Sequence, residues 1–137
     1  MKAVIFDLDG TLLDTIADIA DSMNSVLIKH NLPLHNIEEY KLFVGDGAAN
    51  LVMRSIAGAQ YEEHSLTQLV NEYRTEYLKR QANNTKPYEG IPELLSALAG
   101  RGVKMAVLSN KSHIATLEVM AHFFPKTDFC ALIGHRT

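Results

Sequence analysis

The 137-residue chain holds 47% hydrophobic and 21% charged residues at a net charge of −3, a balance that suits a globular domain with a real core and gives no footing for nucleic acid as a partner. Its single cysteine, Cys130, excludes an intrachain disulfide framework, and no apolar run approaches the roughly 20 residues that span a bilayer. A brief apolar run broken by acid follows Lys2, unlike the long apolar region of a signal peptide, so the cytoplasm is the expected location.

The first element is a continuous apolar run rich in β-branched residues, Ala3 to Phe6, which predicts a strand buried on both faces. From Thr15 the period changes. Ile16, Ile19, Ala20, Met23, Val26 and Leu27 form one helical stripe, with Asp14 or Thr15 as cap and Asn31 with Pro33 as stop. A helix over Asn36 to Phe43 follows. It is interrupted by a glycine loop, VGDGAAN, in which Gly45, Asp46 and Gly47 are a candidate specificity loop. A short helix ends near Gly58. The longest helix carries Leu66, Leu69, Val70, Tyr73 and Tyr77 and is expected to start at a Ser65/Gln68 capping box. QANNTKPYEG reads as a linker.

Ile91, Leu94, Leu95 and Leu98 make a further helix with Pro92 in its first turn. Val103 to Leu108 reads as a strand ending in Ser109, Asn110 and Lys111. A helix from Ser112 to His122 and a strand from Phe129 to Ile133 close the chain, and Cys130 in that strand reads as an inert core thiol. The expected fold is α/β, a partial Rossmann-like parallel sheet over 1–14 and 86–137 with a helical cap inserted over 15–85 after the first strand.

In such sheets ligands bind beyond the carboxyl ends of the strands. Asp7-Leu8-Asp9-Gly10-Thr11 and Ser109-Asn110-Lys111 both fall there. Two carboxylates, hydroxyls, an amide and an ammonium suit phosphoryl transfer. One carboxylate attacks phosphorus, and a bridging Mg²⁺ offsets the repulsion between anions. The other carboxylate moves protons, and hydroxyls and backbone N–H groups hold phosphate oxygens. The six histidines show no ligand-like spacing.

FDLDGTLLDT resembles the first motif of the haloacid dehalogenase superfamily of phosphatases, and VLSNK resembles its second. With VGDGAANLV in the insertion, the whole chain is similar to phosphoglycolate phosphatases and their near relatives. The resemblance implies that Asp7 is nucleophile and Mg²⁺ ligand. Asp9 is then general acid/base and offers its backbone carbonyl to the metal. Gly10, Thr11, Ser109, Asn110 and Lys111 line the phosphate site. The implied substrate is a small phosphorylated metabolite, with 2-phosphoglycolate as the best guess.

The family's third-motif lysine and fourth-motif acids have no counterpart before the chain stops at IGHRT. The chain reads as a fragment of a longer phosphatase, with little turnover expected from it alone; a short product in its own right is the alternative. A phosphomutase of the same superfamily and a non-catalytic binding fragment remain open at this stage. The incomplete sheet leaves an edge and apolar surface exposed, and a swapped or paired homodimer is one way to cover them.

Overall fold

The computed structural model describes residues 2–59 and 63–136. In chain order the elements are β1 (Ala3–Phe6), β2 (Leu13–Asp14), α1 (Ile16–Lys29), α2 (Ile37–Phe43), α3 (Gly47–Ser55), α4 (Glu63–Arg80), β3 (Lys86–Pro87), α5 (Ile91–Gly100), β4 (Lys104–Ser112), α6 (His113–Phe123) and β5 (Ala131–His135). They form two compact units, one of Met1–Thr15 with Thr85–Thr137 and one of Ile16–Asn84.

The first unit is α/β, as expected. Its parallel sheet has the order β1-β4-β5, with Ile5 opposite Ala106 and Leu108 opposite Ile133. Strand side chains alternate between faces. Met105 and Val107 therefore point with Phe6 and Leu132 into a core shared with Leu95 of α5 and with Val119 and Met120 of α6. A second ladder joins β2 to β3, pairing Leu13 with Pro87 and Asp14 with Lys86. The stretch read as a linker thus contains a strand, too short to show any alternation.

The second unit is helical. The α1 stripe Ile19, Ala20, Met23, Val26 and Leu27 is buried. The helix ends in a Schellman motif: Asn31 takes φ 53°, its N–H donates to Ile28 and that of Leu32 donates to Leu27. The capping box lies at α2, where the Asn36 side chain accepts from Glu39 N and the Glu39 carboxylate accepts from Asn36 N. It is not at Ser65, which lies inside α4. Tyr73 and Tyr77 are buried and stacked, as expected of packing residues.

Other boundaries also move. α3 begins at Gly47, so half of the expected glycine loop is helical. β4 runs on through Ser109, Asn110 and Lys111, which were expected to follow the strand. β5 sits two residues later than expected and leaves Cys130 exposed before it rather than in the core. Among the described residues no helix is long and apolar enough to cross a membrane.

Candidate active site

Leu8, Leu12 and Leu13 are fully buried and pin the segment after β1 into the core. The N–H groups of Thr11, Leu12 and Leu13 all donate to the Leu8 carbonyl, and Gly10 N donates back to Leu13 O at 2.9 Å. This turn needs φ 77° at Gly10, a conformation glycine adopts without a Cβ penalty. With Leu8 driven inward, Asp7 and Asp9 flank it on the accessible side: Asp7 is exposed and Asp9 partly so.

The two carboxylates have different neighbours. Asp7 Oδ1 accepts the N–H of Leu8 at 2.7 Å. Asp9 Oδ1 accepts from the Thr15 hydroxyl at 2.8 Å and lies 3.1 Å from Lys111 Nζ. Thr15 is buried, and the Lys111 side chain is only 6% exposed. An ammonium withdrawn from water in this way needs a charged partner, and Asp9 is that partner. Lys111 also offsets one of the two neighbouring negative charges, which answers their mutual repulsion.

The second cluster lies where β4 shifts register between Leu108 and Ser112. Ser109 is buried, and its Oγ accepts the N–H of Lys111 at 3.1 Å. A hydroxyl that accepts still has its own hydrogen to donate. Asn110 is exposed. The α6 cap is Ser112, whose Oγ accepts from Ala115 N, so Ser109 and Asn110 are not spent on capping. Arg136, after β5, places Nη2 3.2 Å from His113 Nε2.

The structure thus joins the two predicted motifs through Asp9 and Lys111. Thr15, one of the two helix caps the sequence offers, stands directly before α1, and its hydroxyl holds the acid. A β-branched hydroxyl before a helix gives the same signal for both roles. In the helical unit, Gly45 and Gly47 take φ 114° and 86°, and Asp46 pairs with Arg54 Nη2 at 2.5 Å.

The donors on hand are hard oxygens. Among the described residues no three His, Cys, Asp or Glu gather into a metal-binding group, and the side chain of His64 lies outside them. The Asp9–Leu13 bridge is made by Gly10 N to Leu13 O and Leu13 N to Leu8 O. That leaves the Asp9 carbonyl outside the pair. One exposed carboxylate and one backbone carbonyl suit Mg²⁺, which keeps several waters and takes few protein oxygens.

A family model described as haloacid dehalogenase-like hydrolase matches residues 4–136. A phosphoglycolate phosphatase of Caulobacter vibrioides is 37% identical over 110 residues, covering 79% of this chain and 46% of that protein. An N-acetylmuramic acid 6-phosphate phosphatase of Pseudomonas aeruginosa is 34% identical over 111 residues, covering 81% and 49%. The crystal structure of a predicted phosphoglycolate phosphatase from Haemophilus somnus superposes with a TM-score of 0.91 at 28% identity, over 97% of this chain and 62% of that one. The chain spans about half the length of the curated relatives it matches.

Proposed function

This chain belongs to the haloacid dehalogenase-like hydrolase family, and from that premise we propose that it carries the nucleophile, acid/base and phosphate-cradle part of a Mg²⁺-dependent phosphatase for small phosphorylated metabolites. The supporting observation is the contact of Lys111 with Asp9, which joins the two strand-end clusters into one site. 2-Phosphoglycolate is the first substrate to test, since phosphoglycolate phosphatases are prominent among the relatives.

Asp7 and the Asp9 carbonyl would hold Mg²⁺, which when bound supplies positive charge between carboxylate and phosphate. A carboxylate oxygen of Asp7 attacks phosphorus in line, and the bond from phosphorus to the leaving oxygen breaks. Asp9, held by Thr15 and Lys111, gives that oxygen a proton. Water then attacks the aspartyl phosphate, returns a proton to Asp9 and releases inorganic phosphate. The Ser109 hydroxyl, which still has its own hydrogen to donate, holds a phosphate oxygen.

The test is calorimetric titration of the purified chain with inorganic phosphate, with and without Mg²⁺, beside release of phosphate from 2-phosphoglycolate. Mg²⁺-dependent phosphate binding is expected in the wild type and is lost in Asp7→Asn. Turnover by this chain alone is expected to fall far below that of a full-length relative. Equal turnover would overturn the reading of the chain as a part, and absence of Mg²⁺-dependent phosphate binding would overturn the site.

A further inference from the structure

His113 and Arg136 follow the carboxyl ends of β4 and β5 and take no part in the steps assigned above. Gly134 ties them to Lys111. A Cβ built on it would lie 2.6 Å from His113 Cα and 2.7 Å from the Lys111 carbonyl oxygen, and its N–H donates to His113 Nδ1 at 3.2 Å. Gly134 is buried in β5, so this donor points in a fixed direction. A ring nitrogen that accepts carries no hydrogen of its own. The ring hydrogen of His113 therefore sits on Nε2.

Arg136 Nη2 lies 3.2 Å from that Nε2. A guanidinium has donors only, so two N–H groups meet with no acceptor between them. Arg136 is exposed, and among the described residues no carboxylate pairs with it. Asp9 is engaged by Thr15 and Lys111. Convergent donors that include the planar fork of an arginine suit a carboxylate, with an oxygen for each. The phosphate has its own place at Ser109, so the missing acceptor is a second anionic group on the same molecule. Lys111 and His113 are two residues apart, with Cα atoms at most about 7 Å from each other, a separation that a short acid spans.

We propose that His113 Nε2 and the Arg136 guanidinium form a carboxylate subsite, which makes the substrate a short phosphorylated hydroxy acid rather than a phosphate ester without an acid group. This rests on the phosphatase reading and names the residues that choose among its substrates.

The test is calorimetric titration of the full 137-residue chain, in Mg²⁺, with inorganic phosphate, methyl phosphate and 2-phosphoglycolate, which is methyl phosphate bearing a carboxylate. 2-Phosphoglycolate is expected to bind the wild type at least about tenfold tighter than methyl phosphate. That preference should vanish in Arg136→Gln. It should vanish too in His113→Asn, whose shorter side chain can still accept from Gly134 but does not reach the place of Nε2. Nitrogen NMR should find the His113 hydrogen on Nε2 and should see that signal move with 2-phosphoglycolate but not with methyl phosphate. This readout stands even if His113→Asn fails to fold. A hydrogen on Nδ1, equal affinity for the two esters, or a preference that survives both substitutions overturns the subsite, while binding of inorganic phosphate keeps the phosphatase reading. A wild type that binds no inorganic phosphate overturns both.

Discussion

The helical unit and the sheet unit solve the burial problem differently. In Ile16–Asn84 the apolar stripes of α1, α3 and α4 find partners within the unit, and Met23, Val26, Leu27, Tyr40, Val52 and Leu69 are fully buried. Its exposed large apolar residues, such as Ile28, Leu42 and Met53, sit on separate elements. In the sheet unit Ile5, Leu108 and Ile133, from three neighbouring strands, are exposed together on one face. A helix needs one covered stripe, whereas a parallel strand needs cover on two sides. A helical insertion can therefore close on its own when a parallel sheet of the same chain cannot.

The largest expected effect falls on the sheet unit. A Cβ at Gly134 would lie 2.6 Å from the His113 backbone and 2.7 Å from the Lys111 carbonyl. Backbone atoms cannot swing aside, so Gly134→Ala is expected to cost about 3 kcal/mol by overpacking. Urea unfolding followed by a probe in the sheet reads this. Gly100→Ala, with nothing within 4 Å of the new Cβ, should stay within about 0.5 kcal/mol. An equal effect of the two would break the picture of a tightly seated β5.

A smaller loss is expected in the helical unit. Asp18 is fully buried on α1 and accepts from Asn84 N and Asn84 Nδ2 at 3.0–3.1 Å, tying the end of the unit to its start. Asp18→Ala leaves these donors unmatched and is expected to cost about 1–3 kcal/mol. Hydrogen exchange should locate the change within residues 16–84. Spread into the sheet strands would show that the two units unfold as one.

The smallest effect is a dependence on pH. Glu76 accepts from Arg80 and Lys79 and faces Lys29. These hydrogen bonds hold its carboxyl near a pKa of about 2, below the usual 4.5. A carboxylate depressed on folding contributes stability that is complete above about pH 4.5 and is lost as pH falls towards 2. Thermal melts of Glu76→Gln against wild type should diverge above that window and converge below it. Divergence that grows on acidification would refute the assignment.

Long apolar patterns were legible in the sequence. The α1 stripe and Tyr73 with Tyr77 stand as read, because burial of a repeated face leaves a periodic mark; β1 stands as a strand, but Ala3 and Ile5 are exposed, so its continuous apolar run did not mean cover on both faces. The β2–β3 ladder was not legible, since two residues per strand carry no period and Pro87 argues for a loop. Ser65 with Gln68 has the spacing of a capping box, but α4 starts earlier, at Glu63, and overrides it. Cys130 looked like core because its neighbours are apolar; the strand begins one residue later. At the site, Asp7 and Asp9 were visible as a pair. The hold of Lys111 and Thr15 on Asp9 was not, because it depends on where β4 and α1 bring the chain back.

The pairing of Leu13 with Pro87 and of Asp14 with Lys86 has a consequence for how such proteins diversify. The chain leaves the sheet unit and re-enters it through adjacent strands, with Cα atoms about 5 Å apart. To that unit, everything from Ile16 to Asn84 is the loop of a hairpin. Closing a longer loop costs only about 0.6 kcal/mol per doubling, and insertions succeed where chain ends meet. The helical unit is thus a replaceable cassette, open to exchange or enlargement while Asp7, Asp9 and the turn at Gly10 stay as they are.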